Sequence, residues 1–513
     1  MSQDIFESLI RDIPRGITTR YLQQQSVPKA RWLLPADIAA SDALRYNPSK
    51  PGAKILVGAV GEHLIGIEDN RHMLTIAGSR SGKSVGLISN LLFYRGSVLA
   101  LDPKGELATI TAKRRKALGQ KVCILDPFKN VPERLAEFRA SYNPLDILSP
   151  DNPNIIEDAQ LVADALVVQE PGSKDPHWDE SAKNFIEGLI LHVVSDPAYQ
   201  GKANLMSVRD LIKGAMTVDA EDEEMWALER AMLENAARLG HDPQTGDLGG
   251  AIEGAARDFY EKSDRERDSV LSTVRRHTKF LDYSAFRSVL GSSSFDLKEL
   301  KSAPKGVSVY LCFPATRIGI AGRWLRLFIN QLMQAMEQEK SKPKAPVLVC
   351  LDEFPVLGHM KQLEDAAGQI ASFDVKLWVI LQDWGQGKAL YGERWESFAA
   401  NAGILQFFGN NDVATTEYVS KLLGKTPVEV ARAGEVASDQ AAKGLSGKSS
   451  GLELHDLLRP EEITKQFARS DALARQVVIW SGYHPMILQR VRYYDSENPL
   501  YHYFRGKYAK IDR

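Results

Sequence analysis

Short apolar runs alternate with longer amphipathic stretches over most of the chain, the pattern of strands exchanging with helices. A β-rich entry at Ala53–Ile67 leads to the run Met73–Ile76, and an apolar helix is predicted at Val85–Tyr94. Ser97–Leu101 and Lys121–Leu125 read as short buried strands, and the pattern resumes with Val307–Phe313, Val347–Leu351, Lys376–Leu381 and Ile404–Gly409. Helices are expected at Arg323–Glu339 and Thr415–Leu423, and closing strands at Gln476–Ser481 and Met486–Tyr494. Polar residues stand at the strand ends. This predicts an α/β fold with a mostly parallel sheet whose ligand lies beyond those ends.

Between the two groups of strands the periodicity changes. Glu157–Val168, Trp178–Val194, Glu223–Leu239 and Gly249–Phe280 are amphipathic and carry no strand runs. The expected organisation is a leader over 1–52, a first part of the sheet domain over 53–154, an inserted all-α domain over 155–295 and the second part of the sheet domain over 296–513. The leader is interrupted by Pro14, Pro28, Pro35, Pro48 and Pro51, and its apolar residues Ile5, Leu9, Ile10 and Ile13 suit a short helix packed on its own domain. Residues 429–452 read as a low-complexity loop.

The chemistry enters at the end of the Met73–Ile76 run, with Ala77-Gly78-Ser79-Arg80-Ser81-Gly82-Lys83-Ser84. Small residues let successive backbone N–H groups turn toward an anion. Lys83 is placed to reach the β and γ phosphates of ATP or GTP, and the Ser84 hydroxyl to ligate Mg²⁺. The following helix points its positive end at the same phosphates. The strict pattern begins with glycine, and Ala77 stands there instead. Residues 442–449 fit the same relaxed pattern without a preceding strand or a following apolar helix, so they are expected to form a flexible loop.

A hydrolytic site also needs a carboxylate for the Mg²⁺ shell and a group to orient water. Asp352 and Glu353, at the end of Val347–Leu351, suit those two roles, and Gln382 at the end of the next run suits a γ-phosphate sensor. Arg71, before the loop strand, is a candidate arginine finger toward a neighbouring subunit. Arg275, Arg276, His277 and Lys279 form a basic cluster that would suit nucleic acid.

Composition narrows the setting. The chain has 513 residues, 44% of them hydrophobic and 25% charged, which is globular and long enough for two or three domains. A formal net charge of −2 gives no global basic footprint, so a nucleic-acid partner would meet a local patch or channel. Cys123, Cys312 and Cys350 sit singly in apolar runs, which argues for buried free thiols in a reducing compartment. No run reaches about 18 apolar residues, so the expectation is a cytoplasmic chain that does not span a membrane.

An ordered series of motifs resembles the type IV secretion coupling proteins, ring-forming ATPases related to conjugative DNA pumps. It comprises the phosphate loop, Leu101-Asp102-Pro103-Lys104-Gly105-Glu106, Asp126-Pro127-Phe128, Tyr142-Asn143-Pro144-Leu145, Leu351-Asp352-Glu353-Phe354-Pro355 and Leu357-Gly358. Tyr391-Gly392-Glu393, Asn401-Ala402-Gly403 and Asn411 to Tyr418 extend it, over about residues 55–500. The resemblance implies a RecA-like domain, a helical insertion that recognises cargo, and homo-hexamers whose interfaces complete the ATP sites. It carries over Lys83 and Ser84 for phosphate and Mg²⁺, Asp352 and Glu353 for hydrolysis, Gln382 as sensor and Arg71 as finger. Family members usually begin with transmembrane helices, so this chain is expected to act without its own anchor, peripherally at the inner membrane through a membrane-bound partner. The implied cargo is single-stranded DNA held by a relaxase, passed to secretion-channel components. Two other readings stay open at this point: a soluble DNA translocase or helicase, and a non-motor adaptor that binds nucleotide only to hold its shape.

Overall fold

A computed structural model describes residues 29–167, 176–240, 247–366, 368–433, 448–496 and 501. The leader positions Ile5, Leu9, Ile10 and Ile13 lie outside the described residues; within the rest of the leader, Pro35–Ala40 is helical.

The apolar runs become strands β1 (Ile55–Val60), β2 (His63–Ile67), β3 (His72–Ala77), β4 (Val98–Asp102), β5 (Lys121–Leu125), β6 (Val307–Cys312), β7 (Val347–Leu351), β8 (Val375–Leu381) and β9 (Ala402–Phe408). They are followed by β10 (Lys425–Ala433), β11 (Lys448–Asp456), β12 (Arg475–Trp480) and β13 (Met486–Gln489). Eleven strands form one sheet in the order β2-β1-β13-β12-β9-β3-β8-β7-β4-β6-β5. From β9 to β5 every pairing is parallel, whereas β12, β13, β1 and β2 add an antiparallel flank. β3, β4, β6, β7, β8 and β9 are buried at every position. That is why their sequences are continuous apolar runs rather than alternating ones: both faces are covered. Leu74, Ile76, Leu99 and Leu101 enter one core, and Met73, Val98 and Ala100 the core on the opposite face.

Helices α1 (Lys83–Leu91) and α2 (Glu106–Ala117) cover the second of these faces. Between β5 and β6 the described residues run through α3 (Ile155–Leu166), α4 (Pro176–Ser195), α5 (Leu205–Gly214), α6 (Ala227–Leu239), α7 (Leu248–Tyr260) and α8 (Asp264–Thr278). The single stretch expected over Gly249–Phe280 is two helices. The Ser263 carbonyl accepts from Arg267 N at 2.9 Å to start α8, and its hydroxyl donates to Glu266 at 2.7 Å. Helix α5 had no counterpart in the sequence reading, although Asn204 caps it by accepting from Met206 N and Ser207 N at 3.0 and 3.2 Å. Residues 429–452 are also corrected. β10 and β11 pair antiparallel from Lys425↔Asp456 to Ala433↔Lys448, so the low-complexity stretch belongs partly to a hairpin, and residues 434–447 lie outside the described set. Lys448 and Ser449, the end of the second loop-like match, begin a strand rather than a helix.

A buried polar chain ties the antiparallel flank to β3. Trp378 Nε1 donates to Thr75 Oγ1 at 2.9 Å, Thr75 to Gln406 Oε1 at 2.8 Å, Gln406 Nε2 to Gln476 Oε1 at 2.6 Å, and Gln476 Nε2 to the Val57 carbonyl at 2.7 Å. It crosses β8, β3, β9, β12 and β1, and each member satisfies the next.

The basic cluster on α8 is not a continuous face. His277 is buried, its Nε2 3.4 Å from Asp179 on α4, and Arg276 also turns to Asp179 at 3.5 Å. Burial, ahead of the neighbouring Arg323 and Arg276, holds the His277 imidazole well below the usual histidine range. A histidine kept neutral in the fold but free to protonate when unfolded stabilises above its ordinary pKa of about 6.5, and that contribution is lost as pH falls through the folded value. Unfolding followed by tryptophan fluorescence is therefore expected to show a steeper loss of stability from pH 7 to pH 4 in the wild type than in His277→Gln.

Candidate active site

Because β3, β4, β7 and β8 run parallel, their carboxyl ends share one edge of the sheet. The loop Gly78–Gly82 leaves β3 there and turns into α1 through two left-handed residues, Arg80 (φ 57°) and Gly82 (φ 99°). Gly78 N donates to the Phe408 carbonyl at 3.2 Å, and a Cβ on Gly78 would collide with the Gly409 carbonyl oxygen. A Cβ on Gly409 would in turn come within 2.7 Å of Ser81 Cβ. Ser81 Oγ donates to the Gly78 carbonyl at 2.5 Å, and Lys83 Nζ to the Ala77 carbonyl at 3.0 Å. Ala77 is a fully buried strand residue outside the left-handed region, so the departure from glycine there needs no conformational compensation.

β8 separates β3 from β7, yet the two strand ends meet across it. Ser84 Oγ donates to Asp352 Oδ2 at 3.2 Å. Glu353 follows in a left-handed conformation (φ 65°), and Gln382 Nε2 donates to its Oε2 at 3.5 Å. Burial, then the like charge of Glu353, raises the Asp352 carboxyl above its ordinary value, against the pull of Ser84, Lys83 and Lys104. Burial also lowers the Lys83 ammonium, against the attraction of Glu353 and Asp352. Each charge is thus desolvated and incompletely compensated, as expected of groups built to meet further charge. The close backbone approach at Gly78, the Lys83 ammonium and the Ser84–Asp352 hydroxyl–carboxylate pair fit a Mg²⁺–nucleotide, whose metal Ser84 and Asp352 would face.

The strand-end aspartates of the neighbouring motifs hold backbone. Asp102 Oδ2 accepts from Ala108 N at 2.9 Å at the start of α2, and Asp126 accepts from Asn130 N and Val131 N at 2.8 and 2.7 Å. Burial raises the Asp102 carboxyl to about 6.

Residues 32–510 match the family described as Type IV secretory system Conjugative DNA transfer. The chain belongs to this family. A conjugal transfer protein TraG of Escherichia coli is 30% identical over 432 residues, covering 78% of this chain and 64% of that protein. The chain spans about three-fifths of the length of the curated relatives it matches. The bacterial conjugative coupling protein TrwBdeltaN70, in a trigonal form with sulphate, superposes with a TM-score of 0.62 at 14% identity, over 90% of this chain and 95% of that one. The plasmid coupling protein TrwB with ADP and Mg²⁺ gives 0.61 at 14%, over 90% and 94%. The RecA-like fold expected from the sequence, with its mostly parallel sheet, is therefore the fold of this conjugative transfer family member. No helix among the described residues is long and apolar enough to cross a membrane.

The structure of this family member gathers Gly78 to Ser84, Asp352, Glu353 and Gln382 at one edge, but not Arg71. That residue precedes β3 at the opposite edge, where Asp69 grips it through Nε–Oδ1 at 3.0 Å and Nη2–Oδ2 at 2.7 Å. Burial opposes the charge on Asp69, but the hydrogen bonds from Arg71 and Trp480 prevail and hold its carboxyl at about 2. Sequence reasoning missed Arg490, whose Nη1 donates to the Ser81 carbonyl at 2.6 Å from the segment after β13. Nothing in its local sequence signals a partner 409 positions away.

Gly78→Ala is expected to destabilise the fold by more than about 2 kcal/mol, because the added methyl meets rigid backbone rather than a flexible side chain. A fall in the urea midpoint checks this, and Gly86→Ala, where a Cβ meets nothing within 4 Å, is the matched control.

Proposed function

We propose that the chain is an ATP-hydrolysing coupling protein of conjugative DNA transfer. The observation that carries this is the convergence of the Ser84–Asp352 contact at 3.2 Å with Glu353 and Gln382 beside the phosphate loop. Lys83 takes the β and γ phosphates, Ser84 and Asp352 hold the metal side, Glu353 orients the attacking water, and Gln382 fixes the Glu353 carboxylate and senses the terminal phosphate. Mg²⁺, when bound, neutralises charge on the phosphate oxygens.

Arg71 cannot serve the site of its own subunit from the far edge of β3. Its firm hold by Asp69 supports a finger presented to a neighbour in a homo-hexameric ring. The helices between β5 and β6 recruit cargo, single-stranded DNA with its relaxase, and hydrolysis feeds it to the components of a secretion channel. The site of action is the cytoplasmic face of the inner membrane, reached through a membrane-bound partner. Support for the cargo and channel comes from family membership and from relatives named as conjugal transfer and type IV coupling proteins.

Glu353→Gln is expected to bind ATP as the wild type does while hydrolysing it at least about 100-fold more slowly, and Lys83→Ala to lose binding. Equilibrium binding of a fluorescent ATP analogue and phosphate-release assays on the same preparations check both. DNA transfer that survives intact in Glu353→Gln would favour the non-motor adaptor.

A further inference from the structure

The turn that presents Glu353 is bounded by two left-handed residues, Glu353 itself (φ 65°) and Gly358 (φ 66°). Between them Val356 N donates to the Glu353 carbonyl at 3.0 Å and Gly358 N to the Pro355 carbonyl at 3.1 Å. Glycine takes such a φ freely, and a glutamate does not. A non-glycine residue there costs on the order of 1–3 kcal/mol and persists only where its surroundings fix it. Gln382 bonds the side chain of Glu353, at 3.5 Å, and leaves its backbone to be held by something else.

That hold comes from α9 (Ile318–Gln338), the helix after β6. Arg326 Nη1 donates to the Leu357 carbonyl at 3.3 Å and to the His359 carbonyl at 2.5 Å, and so bridges Gly358. Packing adds to this. Phe354 is fully buried, its ring stacked on Tyr391 at 5.8 Å and tilted against Phe398 at 6.0 Å, and His359 Nε2 lies 2.8 Å from Glu364 Oε2. Burial, against the pull of Tyr391 and with the like charge of Arg323, holds the Arg326 guanidinium below its ordinary value. A cation buried in this way is costly, and two charge-assisted bonds to carbonyls are what it gains. The helix that carries it is itself immobilised: Trp324, Leu325, Phe328 and Leu332 sink into the core, and Gln331 and Gln334 bond to Tyr142 at 3.0 Å and to Asp158 on α3.

We propose that Arg326 is a positioning residue for ATP hydrolysis: from α9 it fixes the turn Phe354–Leu357 and thereby the direction in which Glu353 meets the attacking water. It acts through the backbone and not on the nucleotide. A displacement of about 1 Å in a group that orients a reactant costs about 100-fold in rate. Binding of the phosphates by Gly78–Ser84 does not depend on this turn. The proposal rests on the hydrolytic reading above.

The test uses the full chain, with ATP turnover, equilibrium binding of a fluorescent ATP analogue and amide hydrogen exchange measured on the same preparations. Arg326→Ala is expected to lower kcat by at least about tenfold and to leave the Kd and stoichiometry of the analogue within about twofold. Exchange is expected to quicken at residues 354–360 and not in β7. Arg326→Lys, which keeps a cationic donor, is expected to recover part of the kcat. A merely structural role predicts another pattern, in which kcat and binding stoichiometry fall together and exchange quickens in β7 as well. That pattern would overturn the proposal, and so would a kcat in Arg326→Ala within about twofold of the wild type. Should Arg326→Ala fail to fold, Arg326→Lys decides: a kcat lowered at least about threefold at unchanged Kd supports the proposal, and wild-type kcat with wild-type exchange at 354–360 overturns it. A wild type that binds the analogue and hydrolyses no ATP would refute the hydrolytic reading instead, and exchange at 354–360 would still show whether Arg326 holds the turn.

Discussion

The backbone of the phosphate loop lies directly on the backbone that follows β9, and no side chain fits between them. Gly78 N bonds to the Phe408 carbonyl, its missing Cβ leaves room for the Gly409 carbonyl, and Gly409 reciprocates by leaving room for Ser81. Strand β9 is thereby part of the cradle. Its position depends on the parallel pairing with β3, on the antiparallel pairing with β12, and on the Thr75–Gln406–Gln476 chain that locks the three together. The antiparallel flank, which contributes no motif of its own, sets the shape of the loop through these contacts, and Arg490 adds a direct strut.

On the other side of the loop the dominant effect is desolvation. Asp352 and Lys83 are both driven toward neutrality by burial, and neither is fully compensated by the other or by Ser84. A structural ion pair in such a place would be costly. A site that receives a polyphosphate and a divalent metal gains its compensation on binding, so the desolvation of Asp352 and Lys83 is consistent with function.

The central strands were legible because burial on both faces writes them as unbroken apolar runs, and the strand-end residues because their spacing carries chemistry. Boundaries failed where a local signal was weak. Ser263 divides α7 from α8 without a proline or glycine, and α5 is too short for its four apolar contacts to dominate a window. The hairpin β10–β11 was hidden because Gly, Ser and Ala suit both loops and exposed strands. Arg490 was invisible for a different reason: it acts on the loop only after the chain has returned to it, and no residue near it in sequence marks that return. His277 shows the converse error, since a charge run in sequence proved to be three exposed cations, Arg275, Arg276 and Lys279, and one buried histidine.

The central claim is that the gathered site hydrolyses ATP and is completed by a neighbouring subunit engaged on nucleic acid. The most direct measurement is specific ATPase activity as a function of protein concentration, with and without single-stranded DNA, on samples whose mass is determined in parallel. The account predicts activity per chain that rises with concentration, rises further with DNA, and follows the appearance of a ring-sized species. Activity per chain that is constant with concentration, indifferent to DNA and carried by a monomer would contradict it.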